Sequence, residues 1–149
     1  MIKWLARVRA GALATNARSA GSCLGVSTSC LCCHDPVEDD AHAIAACPAT
    51  GAQDCASVAS RVWAQAAQRR GFAARALPDS WIESHLLQLA AALIPSSMHA
   101  FLPPARSNGD LLLRDFHKAM AERLAEVLRR RECFHSALLP SRRLQRAGV

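Results

Sequence analysis

The chain has 149 residues, which is the length of one domain and too short for a polymerase or for an enzyme with a separate substrate domain. Although 51% of the residues are hydrophobic, 30 of these are alanine and 7 are cysteine, so large apolar side chains are few. Tyr is absent, and residues that favour helices dominate the composition. We therefore expect a mostly α-helical protein whose thin core needs a metal ion or another cross-link.

The formal net charge of +6 lies mainly in the C-terminal third of the chain. Residues 103–149 contain ten basic and five acidic side chains, whereas residues 1–102 contain eight and seven. This imbalance favours a polyanion such as RNA or DNA as a partner. The alternative is codon usage in a GC-rich genome, because alanine is abundant and 16 of the 18 basic residues are arginine.

Residues 1–50 are predicted to form an N-terminal helix and turn followed by a metal-binding knuckle. The apolar spacing predicts a short helix at the start of this segment, and the residues before the first cysteine pair predict a loop. We predict that Arg7, Arg9 and Arg18 contact nucleic-acid phosphates. The segment has no acid before Asp35, so an organellar transit peptide is an open alternative.

The residues that carry chemistry lie between positions 30 and 48. Cys30, Cys33, His42 and Cys47 form the pattern C-x2-C-x8-H-x4-C. Two cysteines separated by two residues direct both sulfurs to one ion from a tight turn, and a His and a Cys five positions apart can converge on it from the first turn of a helix. Four such ligands leave no open coordination position, so we predict a structural Zn²⁺ site.

Neighbouring residues leave the ligand set partly open. Cys32 can replace either of the paired cysteines, and His34 can replace His42. Glu38 can accept a hydrogen bond from the ligating imidazole or lie in solvent as an ordinary acid. The clustering of cysteine with histidine favours metal over disulfides, and therefore a reducing, intracellular compartment, nuclear or cytoplasmic.

Residues 51–102 are predicted to form a helical hairpin. Its first helix begins near Ala52 and ends at Gly71 as a C-cap. Its second helix is expected to begin with an S-x-x-E capping box at Ser80 and to end at Pro95.

Residues 103–109 are predicted to be a linker, and residues 110–149 a long basic amphipathic helix, ending near Phe134, with a tail. The helix has one apolar stripe, which consists of Leu113, Phe116, Met120, Leu124 and Val127. In its last turn, Arg129, Arg130 and Arg131 are predicted to contact phosphates. Their alternative role is to interact with the negative end of the helix dipole.

No group of nucleophile, base and orienting residue is evident, and the chain has no glycine-rich phosphate loop. We therefore expect no enzymatic activity. The longest uncharged run, residues 84–105, contains three prolines and several polar residues, so it does not predict a membrane-spanning helix.

The metal pattern resembles the zinc-binding region that follows the polymerase and ribonuclease H parts of non-LTR retrotransposon reverse transcriptases. The residues that match that region in order are Cys30, Cys33, Glu38, His42, Cys47 and Pro48. Upstream, residues 7–11 resemble its R-x-R-x-G lead, and residues 13–18 resemble its L-P-T-x-x-R approach with Ala14 in place of Pro. The resemblance implies a zinc module that binds the element's RNA or its target DNA without catalysis. Since the polymerase's Asp-Asp signature is absent, it also implies a detached C-terminal piece.

Two functions fit these predictions. In the first, zinc fixes the knuckle while arginines bind the phosphate backbone of RNA or DNA without reading sequence. In the second, zinc only holds the helices together, and the long helix docks on another protein, such as the upstream polymerase part of the same element. An exposed apolar stripe would favour the second function. A fragment without retained activity is a third alternative.

Overall fold

The computed structural model describes residues 15, 28–71, 76–102 and 106–146. These residues form helices and turns, and no β-strand occurs among them. The prediction of a mostly α-helical protein is therefore confirmed. The predicted N-terminal helix, with Arg7, Arg9 and Arg18, lies outside the described residues.

Helix α1 spans Cys55–Arg69 and directly follows a 3₁₀ turn at Ala52–Asp54. It is rich in alanine, the residue with the highest helix propensity, and it buries Trp63. Gly71 has a left-handed φ of 70°, which fits the predicted C-cap. Its amide donates a hydrogen bond to the Gln68 carbonyl and closes the last turn.

The second predicted helix is interrupted. Helix α2 spans Asp79–Ser84 and helix α3 spans Leu86–Ala90, with His85 between them. The imidazole of His85 stacks on Trp81 with ring centroids 4.4 Å apart, and its Nδ1 lies 2.8 Å from the Trp81 carbonyl oxygen. The His85 amide donates to the Ile82 carbonyl instead. In an unbroken helix the His85 amide would donate to the Trp81 carbonyl, but here the His85 side chain bonds that oxygen instead.

The start of α2 also differs from the prediction. Pro78 is its N-cap residue, with an extended ψ of 140°, and no side chain caps the helix. Ser80 therefore lies inside the first turn, and the predicted capping box with Glu83 is wrong. The chain leaves α3 through Ala92, which has a positive φ of 54°, and then forms a 3₁₀ turn at Ser96–Phe101.

Helix α4 spans Arg106–Arg146 and is longer than predicted in both directions. Residues 106–109 are helical and do not belong to a linker. The helix also continues beyond Phe134 and through Pro140. The prediction followed the apolar stripe, whereas helix propensity can extend a helix beyond the residues that it buries.

The core lies where α4 packs against α1 and α3. Phe116 of α4 meets Trp63 of α1 edge to face, with ring centroids 5.7 Å apart. The buried members of the predicted stripe are Phe116, Met120, Leu124 and Val127. Leu113 is only half-buried, because the neighbouring Leu112 takes the position facing the core. The chain itself therefore covers the stripe. Among the helices that the structure describes, none is long and apolar enough to cross a membrane.

Candidate metal centre

Three cysteines and one histidine meet at one end of the core. They are Cys30, Cys33, His42 and Cys47, and their ligand atoms all lie within 4.8 Å of one another. The Sγ atoms of Cys30 and Cys47 are 3.9 Å apart, and Cys33 Sγ lies 3.3 Å from His42 Nε2. A tetrahedron with Zn–S near 2.3 Å and Zn–N near 2.0 Å has edges of about 3.8 and 3.5 Å. The cluster can therefore hold a metal ion.

The first cysteine pair lies on a tight turn. The Cys30 amide donates to the Asp35 carbonyl at 2.8 Å, and the His34 amide donates to the Cys30 carbonyl at 2.9 Å. His34 has a positive φ of 65°, which reverses the chain after Cys33. This geometry directs the sulfurs of Cys30 and Cys33 to the same side, as a C-x2-C pair requires.

The environment of Cys30 acts in two directions on its thiol. Burial raises the pKa of this thiol well above its ordinary value, whereas the amides of Cys33 and Cys32 donate hydrogen bonds to the sulfur and lower it. Burial dominates, so without a cation the sulfur keeps its proton at neutral pH. A bound metal ion would displace that proton, and the two amides would then stabilise the thiolate.

The second pair of ligands lies on one turn of π-helix at His42–Ala46. The Cys47 amide donates to the His42 carbonyl at 2.8 Å, a bond that spans five residues. This spacing brings the two ends of the H-x4-C pattern to the same side of the turn. Asp39 starts the turn, because its Oδ1 accepts a hydrogen bond from the His42 amide at 2.7 Å. The convergence of the pair fits the prediction, but the π geometry was not predicted.

The imidazole of His42 has a polar neighbour near each of its ring nitrogens. Its Nε2 faces Cys33, and its Nδ1 lies 4.0 Å from Asp35 Oδ2. The second distance is too long for a hydrogen bond, so the half-exposed Asp35 does not bond the ring. The proposed hydrogen bond from this imidazole to Glu38 is not formed, because that carboxylate has another partner.

Glu38 is fully buried and forms an ion pair with Arg131 of α4. Arg131 donates from Nε to Oε1 and from a terminal nitrogen to Oε2, both at 3.0 Å. Glu38 Oε1 also lies 3.6 Å from Cys30 Sγ. Both sequence-based roles of Glu38, as an acceptor for the ligating imidazole and as a solvated acid, are wrong. The two turns that carry the candidate ligands, residues 30–35 and 42–47, are called the metal turns. The ion pair joins them to α4, because Arg131 lies 93 residues further along the chain than Glu38.

Two other contacts fasten the same turns to α4. Val127 packs against Cys30, Cys47 and Ala52. A terminal nitrogen of Arg123 donates to the Ala52 carbonyl at 2.6 Å. Burial of this half-exposed side chain lowers the pKa of Arg123. The metal turns and α4 therefore form one packed unit.

The other candidate ligands fit less well. Cys32 forms a second possible ligand group with Cys30 and Glu38. The carboxylate of Glu38 is already bonded to Arg131, so this group is a poorer metal site. His34 is exposed and is not a member of the cluster. The cysteines that the structure describes are all free.

The predicted phosphate-binding arginines of α4 have different surroundings. Arg131 is only 8% exposed and is bonded to Glu38, so it does not face a ligand in solvent and its assignment as a phosphate contact does not fit. Arg129 and Arg130 are exposed, and both bond Glu126 at 2.8 Å. Hydrogen bonds from these two arginines lower the pKa of Glu126 to about 2, and the bond from Arg129 has the largest effect. Two cations thus share one acid at this position.

Comparison with known proteins found no family model, curated protein or solved structure that matches the chain. The interpretation of the centre therefore depends on its own residues.

Proposed function

We propose that the chain is a zinc-binding helical module that binds the phosphate backbone of RNA or DNA without catalysis. The observation that carries the proposal is the cluster of three sulfurs and one imidazole nitrogen within 4.8 Å. A metal ion bound there would join the turn of Cys30 and Cys33 to the turn of His42 and Cys47.

Zinc is the metal that suits these ligands best. Thiolate and imidazole ligands in a tetrahedron are typical of zinc, whereas magnesium and calcium prefer oxygen ligands. Cys30, His42 and Cys47 are buried and Cys33 is half-buried. Four protein ligands around one ion support a structural role.

Nucleic acid is the proposed partner because of the charge of the C-terminal third. Residues 103–149 carry five more basic than acidic side chains, and α4 presents several of them on its surface. We further propose that the chain derives from the zinc-binding region of a retroelement reverse transcriptase. The support for this origin is the order of the ligands and of Glu38 and Pro48 in the sequence.

The alternative function, docking of α4 on another protein, has less support. It required an uncovered apolar stripe, and Phe116, Met120 and Leu124 of that stripe are buried against the chain's own helices. A polymerase part of the same element would therefore have to bind this chain at a surface other than the apolar stripe.

Metal analysis and binding assays test the two parts of the proposal separately. Protein purified without added metal should contain one zinc per chain, and chelation should reduce its helical circular dichroism. Cys47→Ser should lose the zinc, whereas Cys133→Ser, at an exposed cysteine outside the cluster, should keep it. Absence of zinc from the unmodified protein would contradict the metal site.

Nucleic-acid binding is measured on the zinc-loaded chain with single-stranded RNA and DNA. The affinity should fall linearly with salt on logarithmic axes, because each neutralised phosphate releases counterions. Absence of binding at low salt would contradict the second part of the proposal and leave the zinc site intact.

A further inference from the structure

A shallow groove lies between the C-terminal end of α1 and the first half of α4. Its volume is about 490 Å³, and it lies on α4 well before the Arg129–Arg130 pair. The residues that line it include Arg70, Leu111, Arg114, Asp115, Lys118 and Ala121. None of the residues predicted from the sequence to bind phosphate lies in it.

The groove is cationic. Arg70 bonds Asp115, with its Nε at 2.9 Å and a terminal nitrogen at 2.7 Å from the same carboxylate oxygen. Arg114 and Lys118 are exposed, and neither forms an ion pair or hydrogen bond within the described part of the chain. Three cations thus face one acid, for a formal charge of +2.

The Arg129–Arg130 pair is a weaker anion site by the same count. Its two cations share Glu126, which leaves a formal charge of +1. Acids also flank the groove, since Asp110 and Glu122 lie one turn before and after its α4 cations. Neither of these acids lines the groove or bonds its cations.

The arrangement of the cations suits a row of phosphates. Arg114 and Lys118 are one helical turn apart, about 6 Å along the axis of α4. Arg70 stands on the other wall of the groove, where its bond to Asp115 holds the guanidinium in place. Charges of one sign on two walls of a concavity strengthen the field within it, and arginine and lysine are the usual contacts to phosphate.

An acidic protein segment is a poorer fit to the same groove. Protein interfaces are anchored by buried aromatic or large apolar side chains. In this groove Leu111 is the exposed large apolar side chain, and Ala121 is small and buried. Electrostatic contact with an extended polyanion needs no such anchors.

We infer that this groove, with Arg70, Arg114 and Lys118, is the main site at which the chain binds the phosphate backbone of nucleic acid. The inference rests on the proposed nucleic-acid binding and names the surface that performs it. It predicts contacts to phosphates and none to base edges.

The test compares two double variants with the same change of charge on the same helix. R114Q/K118Q removes the groove's unpaired cations, and R129Q/R130Q is the matched control. The probe is a fluorescent 20-nucleotide RNA of mixed sequence, and its affinity for the zinc-loaded full chain is measured by anisotropy between 50 and 200 mM salt. Zinc content and circular dichroism of both variants confirm that they are folded.

The groove variant should lose at least about tenfold in affinity at 50 mM salt. The slope of log affinity against log salt should also become less steep by about 1.4, since each single-strand phosphate contact contributes about 0.7. The control should change the slope by less than one contact. The single variants R114Q and K118Q should each remove about half of the effect.

Three results would overturn the inference. The first is an equal loss in the two double variants, which would show that net charge alone governs binding. The second is binding by the groove variant with the affinity and slope of the unmodified chain. The third is competition by polyglutamate as strong as that by unlabelled RNA at the same charge concentration. If the unmodified chain does not bind RNA or DNA at all, the proposed function itself fails, and the two failures are thereby distinguished.

Discussion

Glutamine at position 38 would test the link between the metal turns and α4. Glu38→Gln keeps the size of the side chain but removes the charge that Arg131 faces. Because Glu38 is fully buried and Arg131 is 8% exposed, the variant removes the carboxylate that pairs with a cation of little solvent access. Breaking a buried ion pair in this way costs about 3–5 kcal/mol. This range applies here because the bond is bidentate, at 3.0 Å on both arms.

The assay is urea unfolding of the zinc-loaded protein at a fixed free zinc concentration, since bound metal itself shifts the unfolding equilibrium. With a slope of about 2 kcal/mol per molar urea, the midpoint should fall by about 1.5–2.5 M. E38Q/R131M replaces both charges and should recover most of the loss, because no buried charge is then left alone. Glu126→Gln, which breaks the exposed pairs with Arg129 and Arg130, is the control and should leave the midpoint nearly unchanged.

Additive losses in the double variant would show that the charges of Glu38 and Arg131 are not energetically coupled. A fall in midpoint for Glu38→Gln no larger than that for Glu126→Gln would show that the buried pair stabilises the fold no more than the exposed ones. In either case the metal turns and α4 would be held together by other contacts, such as those of Val127 and Arg123.

Three further predictions concern two glycines, the pH and the core. Gly51→Ala and Gly71→Ala should each cost about 1–2 kcal/mol in the same urea assay, because both positions have a left-handed φ, 75° and 70°. A variant as stable as the unmodified chain would contradict the left-handed backbone at its position. Zinc affinity, measured against a competing chelator, should fall by at least about tenfold from pH 8 to pH 6. The reason is that burial raises the pKa of the Cys30 thiol, so zinc must displace a proton that acid supplies. An affinity independent of pH would contradict this account. Phe116→Ala should destabilise the protein by about 3–5 kcal/mol, because Phe116 is fully buried, and a loss below about 1 kcal/mol would show that the core is not packed as described.

The sequence predicted the candidate ligands because their spacing reflects local geometry. Cys30 and Cys33 share one turn, and His42 and Cys47 share another, so short-range rules are enough to place them. The helical character of the chain and the burial of Phe116 follow from composition and periodicity in the same way.

The rest could not be predicted because it depends on long-range packing. Glu38 and Arg131 are 93 residues apart, and both residue types are ordinarily exposed, so nothing in their local sequence indicates a buried pair. The break at His85 depends on a side chain that bonds a backbone carbonyl, which no propensity reveals. The cationic groove joins Arg70 to residues of α4 through a contact that forms only in the folded chain.

X-ray absorption at the zinc edge tests the metal centre most directly. The sample is the unmodified chain purified without added metal, and the quantities measured are the kinds and distances of the atoms around zinc. We expect three sulfurs at about 2.3 Å and one nitrogen at about 2.0 Å, and a Cys47→Ser sample should lose this signal. A shell made only of oxygen and nitrogen, or two sulfurs with bound water, would contradict a closed site formed by Cys30, Cys33, His42 and Cys47.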